Sequence, residues 1–187
     1  PERVITTLKH LAGHGEPSGG LNTAPAMLGE RVLREVFLFP FEAVVKNAHP
    51  GSVMASYNEI DGVPSHANRK LLQTILRDEW GFNGVVVSDY LAISELATRH
   101  RLESDINAAG VLALKSGVDI ETPMQGAYAH LTQAVAEGKV SGQEIDKAVA
   151  RVLTQKFALG LFENPLVDVK KAAACVGNAA GRALALK

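Results

Sequence analysis

The chain alternates short β-rich apolar runs with longer stretches of helical periodicity. The run over residues 4–10, Val-Ile-Thr-Thr-Leu-Lys-His, closes on Lys9 and His10. Its successors, residues 52–58 and 84–90, close on Tyr57-Asn58 and on Ser88-Asp89-Tyr90, and a fourth, 118–123, carries Asp119, Glu121 and Pro123. Three consecutive valines bounded by Gly84 and a polar pair predict a parallel strand buried on both faces. Between these runs, Leu33, Val36, Phe37, Phe41, Val44 and Val45 recur at helical spacing within residues 25–47. Pro40 predicts two helices or a sharp bend there, because proline lacks the N–H and clashes with the preceding turn. Asn68 is a natural cap for a helix running to Trp80 and stopped by Gly81. Residues 91–103 read as loop, and 105–115 and 128–137 as helices. Ser141-Gly142-Gln143-Glu144 is a capping-box signature that opens a helix to Leu159, with Gly160 as its stop.

Strands separated by helices give crossovers in a parallel sheet. The strand-end residues His10, Tyr57, Asp89 and Glu121 lie 47, 32 and 32 positions apart. A closed eightfold barrel takes about 200 to 250 residues, so four strands predict an α/β fold that is a partial (β/α)8 TIM-type barrel, its later strands and helices only. Residues 1–165 form that unit. Residues 166–187 turn alanine-rich and basic and read as a linker or the start of a following domain.

Composition narrows the function classes. The chain has 187 residues, 47% hydrophobic and 21% charged, enough for one sizeable core. A formal net charge of -1 and a pI near 6.7 give no basic surface for nucleic acid or an anionic membrane. Aromatic residues at 5% are too sparse for a base-stacking platform. A single cysteine, Cys175, excludes an internal disulfide. No stretch is long and apolar enough for a membrane span.

The candidate chemistry sits at the strand ends, where parallel α/β folds place their ligands. Asp89, taken alone, reads equally as a reactive carboxylate and as a cap for the next helix. Lys9 supplies an ammonium and His10 an imidazole at the first strand end, and Tyr57 an aromatic hydroxyl at the second; a salt bridge, a satisfied core histidine and a core tyrosine are their ordinary structural readings. Glu121 reads equally as a substrate contact and as a loop residue. His10 and His14 flank a glycine loop rather than one helix face, so a metal site is not expected. The loop 13–20 has a glycine-rich composition but lacks the Lys-Ser/Thr of a phosphate cradle. Glu59 and Asp61 read as loop and turn residues.

Five stretches carry a family resemblance: Lys9-His10-Leu11-Ala12-Gly13-His14-Gly15, Val53-Met54-Ala55-Ser56-Tyr57-Asn58, Asp61-Gly62-Val63-Pro64 with Asn68-Arg69, Leu76-Arg77-Asp78-Glu79-Trp80-Gly81-Phe82, and Val86-Val87-Ser88-Asp89. In this order and spacing, over about residues 1–168, the chain resembles glycoside hydrolase family 3, which includes β-glucosidases and β-xylosidases. The resemblance implies Asp89 as nucleophile, Lys9 and His10 on sugar hydroxyls, Tyr57 lining the same subsite, a β-linked saccharide as substrate and no cofactor. It also implies a periplasmic or secreted setting. The loop 16–23 has no histidine, so the chain resembles the branch whose acid/base glutamate comes from a following domain. Tyr90 stands where many members have Trp. The remaining barrel and the acid/base domain are then expected partners, on this or another chain, and an open barrel exposes strand edges that invite self-association. Two other classes stay open on the residues alone: a non-catalytic, carbohydrate-binding or self-associating half-barrel, and a Schiff-base lyase using Lys9.

Overall fold

The computed structural model describes residues 4–124 and 126–187. Three strands, β1 (Thr7–Leu11), β3 (Ser52–Ala55) and β6 (Val85–Val87), pair in parallel in the order β1-β3-β6. They form an arc of the barrel wall. β3 and β6 pair without a break, Ser52 to Val85 through Met54 to Val87. The β1–β3 register instead slips by one residue between Leu8 and Leu11, a bulge that contains Lys9 and His10. A bulge bends the strand and re-aims its side chains; here it falls at the rim end of β1.

The fourth predicted strand is reduced to a single parallel bridge, Val87 to Ile120. Asp119 is the physical reason. Its Oδ2 accepts the Val86 N–H at 2.8 Å, a donor that regular pairing gives to a strand carbonyl, while its own N–H donates to Val86 O at 2.8 Å. The same carboxylate takes Arg77 Nη2 at 2.7 Å and Arg151 Nη1 at 2.8 Å. Arg77 in turn donates to the carbonyls of Phe82 and Gly84. The Arg77 and Asp119 side chains are 5% and 2% exposed. Nothing larger than glycine fits at Gly84, where a Cβ would stand 2.4 Å from Gly51 O, so β6 lies hard against β3.

A second, small sheet covers the loops: β2 (Pro25–Ala26) runs parallel to β4 (Glu59–Ile60), which turns through Asp61 and Gly62 into antiparallel β5 (Val63–Pro64). Both turn residues have positive φ, 48° and 85°, the requirement of a tight two-residue hairpin. The expected loop is therefore a hairpin, and Pro25 lies in a strand rather than a helix.

Pro40 does not split the first helical stretch. α1 (Glu30–Val32), a π-helical segment (Leu33–Leu38) and α2 (Phe39–Ala48) follow without a gap. Wider π turns just before Pro40 relieve the clash a proline makes with an α-helical carbonyl. A second π-helical segment, Lys70–Glu79, buries Leu71, Leu72, Ile75 and Leu76 against the strands. Asn68 caps it by accepting the Leu71 N–H, and Gly81 leaves it at φ 73°. The stretch read as loop holds α3 (Ala92–Thr98), whose Ala92, Ile93, Leu96 and Ala97 are buried. α4 (Ile106–Ser116) starts at an Asp105 cap, and α5 (Leu131–Ala136) follows a 3-10 turn. α6 (Gly142–Ala158) carries the complete Ser141/Glu144 capping box and ends before Gly160 at φ 66°. α7 (Val169–Cys175) and α8 (Ala179–Ala185) contain no buried residue. No helix among the described residues is long and apolar enough to cross a membrane.

One side of the arc stays open. Ile5, Val85, Val87, Ile120, Val152 and Leu159 line an apolar hollow. Above it, the turn Ser65–Ala67 buries a histidine, His66, at 2% exposure, and burial pushes its imidazole down to about 4.

Two outcomes are expected in the protein that carries this chain. Asp119→Ala leaves the buried Arg77 without its carboxylate and lowers unfolding stability by about 3 to 5 kcal/mol, whereas Arg31→Ala, which breaks an exposed pair with Glu35, costs under about 1 kcal/mol. Denaturant titration measures both. His66 binds a proton more readily unfolded than folded, so stability falls as pH drops from about 6.5 to about 4, by about 3 kcal/mol in total, and levels below that. His66→Met removes that part of the acid slope in unfolding free energy against pH.

Candidate active site

Three of the predicted residues meet at the rim. Asp89 follows β6 and is 8% exposed. Its Oδ1 accepts the Tyr90 N–H at 2.8 Å, and its Oδ2 lies 3.4 Å from His10 Nε2. His10 lies within the β1 bulge. Burial first, and the Lys9 ammonium second, push the His10 imidazole below its usual range, against the pull of Asp89. His10 thus meets the carboxylate as a neutral ring at neutral pH.

Tyr57, at the end of β3, donates its hydroxyl to Tyr90 O at 2.8 Å. Burial and the adjacent Asp89 carboxylate push it up to about 12, with Glu95 adding to the rise. It stays a phenol, a donor rather than a phenolate. His14 completes the wall, its ring centroid 4.8 Å from that of His10 and 6.4 Å from that of Tyr57. Lys9 stands beside His10 with its side chain in solvent. Tyr90 is 59% exposed at the mouth.

Glu121 is engaged elsewhere. Its two carboxylate oxygens accept the N–H groups of Gly126, Ala127 and Tyr128 at 2.8 to 2.9 Å. Those bonds tie the carboxylate to the loop that follows it. No group of three His, Cys, Asp or Glu side chains among the described residues is placed to hold a metal ion. His10 and His14 stack instead.

Behind Asp89 lies a layer that sequence reasoning missed. His66 Nε2 accepts the Asp89 N–H at 3.0 Å. His100 Nδ1 contacts Glu59 Oε1 at 2.8 Å, with the His100 side chain 5% exposed. Glu59 is thus half of a part-buried pair. Asp61 likewise has a partner, since its Oδ1 accepts the Leu28 N–H at 2.7 Å. Glu95, on α3, pairs through Oε1 with Arg99 at 2.7 Å. The available signal was the Asp61-Gly62 turn pair, which predicts a hairpin and so brings residues 59 and 66 back over the strand ends.

Comparison with known proteins agrees with this architecture. Residues 1–155 match the Glycosyl hydrolase family 3 N terminal domain. A β-xylosidase of Formosa agariphila is 41% identical over 167 residues, which cover 86% of this chain and 23% of that protein. A periplasmic β-glucosidase of Salmonella typhimurium is 36% identical over 162 residues, covering 87% of this chain and 21% of that one. The solved structure of a β-glucosidase from Erythrobacter marinus superposes with a TM-score of 0.95 at 38% identity, over 99% of this chain and 25% of that chain. The chain spans about a quarter or less of the length of these relatives. With most of its length matched by the family domain, it belongs to glycosyl hydrolase family 3.

Proposed function

We propose that this chain is the nucleophile-bearing part of a retaining, exo-acting β-glycosidase of the β-glucosidase or β-xylosidase type. Asp89 is the nucleophile, with Lys9, His10 and Tyr57 on the glycone. The convergence of His10 and Tyr57 on Asp89, with His10 Nε2 3.4 Å from Oδ2, carries this reading. The names of the relatives, β-xylosidase and β-glucosidase, support the substrate class.

Oδ1 is held by the Tyr90 N–H at 2.8 Å, so Oδ2, with the longer contact, is the freer oxygen for attack on the anomeric carbon. The C–O bond to the leaving group breaks as the new ester bond to Asp89 forms. A protonated carboxyl about 5 to 5.5 Å away gives the leaving oxygen its proton, then takes one from the water that hydrolyses the ester. The neutral Tyr57 phenol and the neutral His10 ring flank that carboxylate without competing for its charge. Lys9, in solvent at the mouth, is suited to hydroxyl oxygens. Borohydride trapping at Lys9 would instead support the lyase reading.

The proton donor and the rest of the wall belong, in this proposal, to further parts of the protein, on this or another chain. Three strands and one bridge fall short of eight, and the apolar hollow beside β6 awaits cover. Residues 1–165 are the catalytic-barrel part, and residues 166–187, without a buried side chain from 164 onward, lead toward the acid/base domain. The 187-residue polypeptide alone then turns over little or no substrate.

A 2-deoxy-2-fluoro glycoside is expected to label Asp89 in the full protein, read by peptide mass. Asp89→Ala is expected to lower kcat by about 10⁴-fold or more; full hydrolysis by that variant defeats the assignment. Tyr57→Phe loses one hydrogen bond, to Tyr90 O, and is expected to lower kcat/KM by about 5- to 10-fold, measured with an aryl glycoside.

A further inference from the structure

We propose that His66 is a positioning residue for this nucleophile, clamping the Ser88–Asp89 peptide from the N–H side while Thr122 clamps it from the carbonyl side. The inference rests on Asp89 being the nucleophile. His66 Nε2 accepts the Asp89 N–H at 3.0 Å, and Thr122 Oγ1 donates to Ser88 O at 2.6 Å. Both groups belong to one peptide plane. Neither bond is a strand-to-strand bond, because β6 ends at Val87.

The clamp matters because a carboxylate inherits its direction from the backbone that carries it. With the peptide plane pinned at both edges and Oδ1 tied to the next N–H at 2.8 Å, the remaining oxygen, Oδ2, is left pointing toward His10. An attacking atom misplaced by about 1 Å costs on the order of 100-fold in rate. Two further bonds hold the carbonyl side, Thr122 N–H to Ser88 Oγ at 2.9 Å and Ser88 N–H to Ile120 O at 2.9 Å. His66 is the side-chain partner on the N–H side.

The role demands a histidine that accepts at Nε2, and its surroundings enforce that state. His66 is 2% exposed, and the Ser56 backbone faces its ring and favours a proton there. An imidazole that accepts at Nε2 carries its proton on Nδ1, the tautomer such a backbone contact selects. Burial is the largest influence keeping the ring neutral, and the nearby His100 acts in the same direction, against Asp89. A protonated ring would turn Nε2 into a donor facing the Asp89 N–H.

Three variants of the full protein test the clamp: His66→Gln, whose Oε1 reaches the place of Nε2; His66→Met, of similar size with no comparable acceptor; and Thr122→Val, isosteric without the hydroxyl. Expected are a loss of about 10- to 100-fold in kcat and in the rate of Asp89 labelling for His66→Met, with KM within about threefold. His66→Gln recovers most of that loss, and Thr122→Val reproduces the pattern more weakly. A KM change alone, equal loss in His66→Gln and His66→Met, or labelling of His66→Met at the wild-type rate each overturns the positioning role. Should His66→Met not fold, the comparison of His66→Gln and Thr122→Val with wild type decides: wild-type kcat in Thr122→Val overturns the clamp, and a kcat loss there with unchanged KM supports it. Absence of label on Asp89 in the wild type instead defeats the nucleophile reading itself, which separates the two failures.

Discussion

The Asp119 carboxylate is the constraint on which the rest of the structure depends. Buried at the open edge of β6, it takes two arginines and a backbone N–H. Arg77 comes from the π-helical segment before β6 and Arg151 from α6, so one side chain joins a helix, a strand and the later helix of the arc. Removing Asp119 or Arg77 leaves the other as a buried charge without its closest partner, while Arg151 is partly in solvent. The arrangement also spends the Val86 N–H that a fourth full strand would use, which is why the wall thins to a single bridge there. The rim that carries Asp89 is only three residues further along the chain.

Above that staple, the polar groups fall into two layers with different tasks. The outer layer, Lys9, His10, Tyr57 and Tyr90, is the more exposed of the two, although the Tyr57 hydroxyl and the Tyr90 N–H are both engaged at 2.8 Å. The inner layer, His66, Thr122 and the His100–Glu59 pair, is tied to backbone or to a partner and largely closed to solvent. Under the proposed nucleophile role, the inner layer supplies the backbone support that fixes the direction of the Asp89 carboxylate. Burying a neutral histidine behind a carboxylate makes acid pH costly, so in this reading rigidity at neutral pH and acid sensitivity of the fold have one origin.

Much of the local structure was legible because its causes are local. Asn68 and Gly81, Ser141 with Glu144, and Gly160 act within a turn or two of themselves, and all sit where their chemistry predicts. The valine run and the polar tips of the strands were equally plain. The errors have local causes too. Pro40 by itself carries no sign of the π turns that absorb it, Asp61-Gly62 fits a loop as well as the hairpin it makes, and α3 is too short for periodicity to stand out.

What the sequence by itself determined, then, is the order of strands and helices, the residues at the strand tips, and the family, because each is written in short spans of neighbouring residues. The tertiary structure alone decided which tips meet. His10, within a one-residue slip in a strand 45 positions from its partner in register, meets Asp89, while Glu121, at an equivalent tip, turns to its own loop. Arg77 with Asp119, and His66 with Asp89, join residues 42 and 23 positions apart. No periodicity or spacing encodes such pairs. They form because burial removes water, and each polar group left in the interior takes the partner that the fold brings within reach.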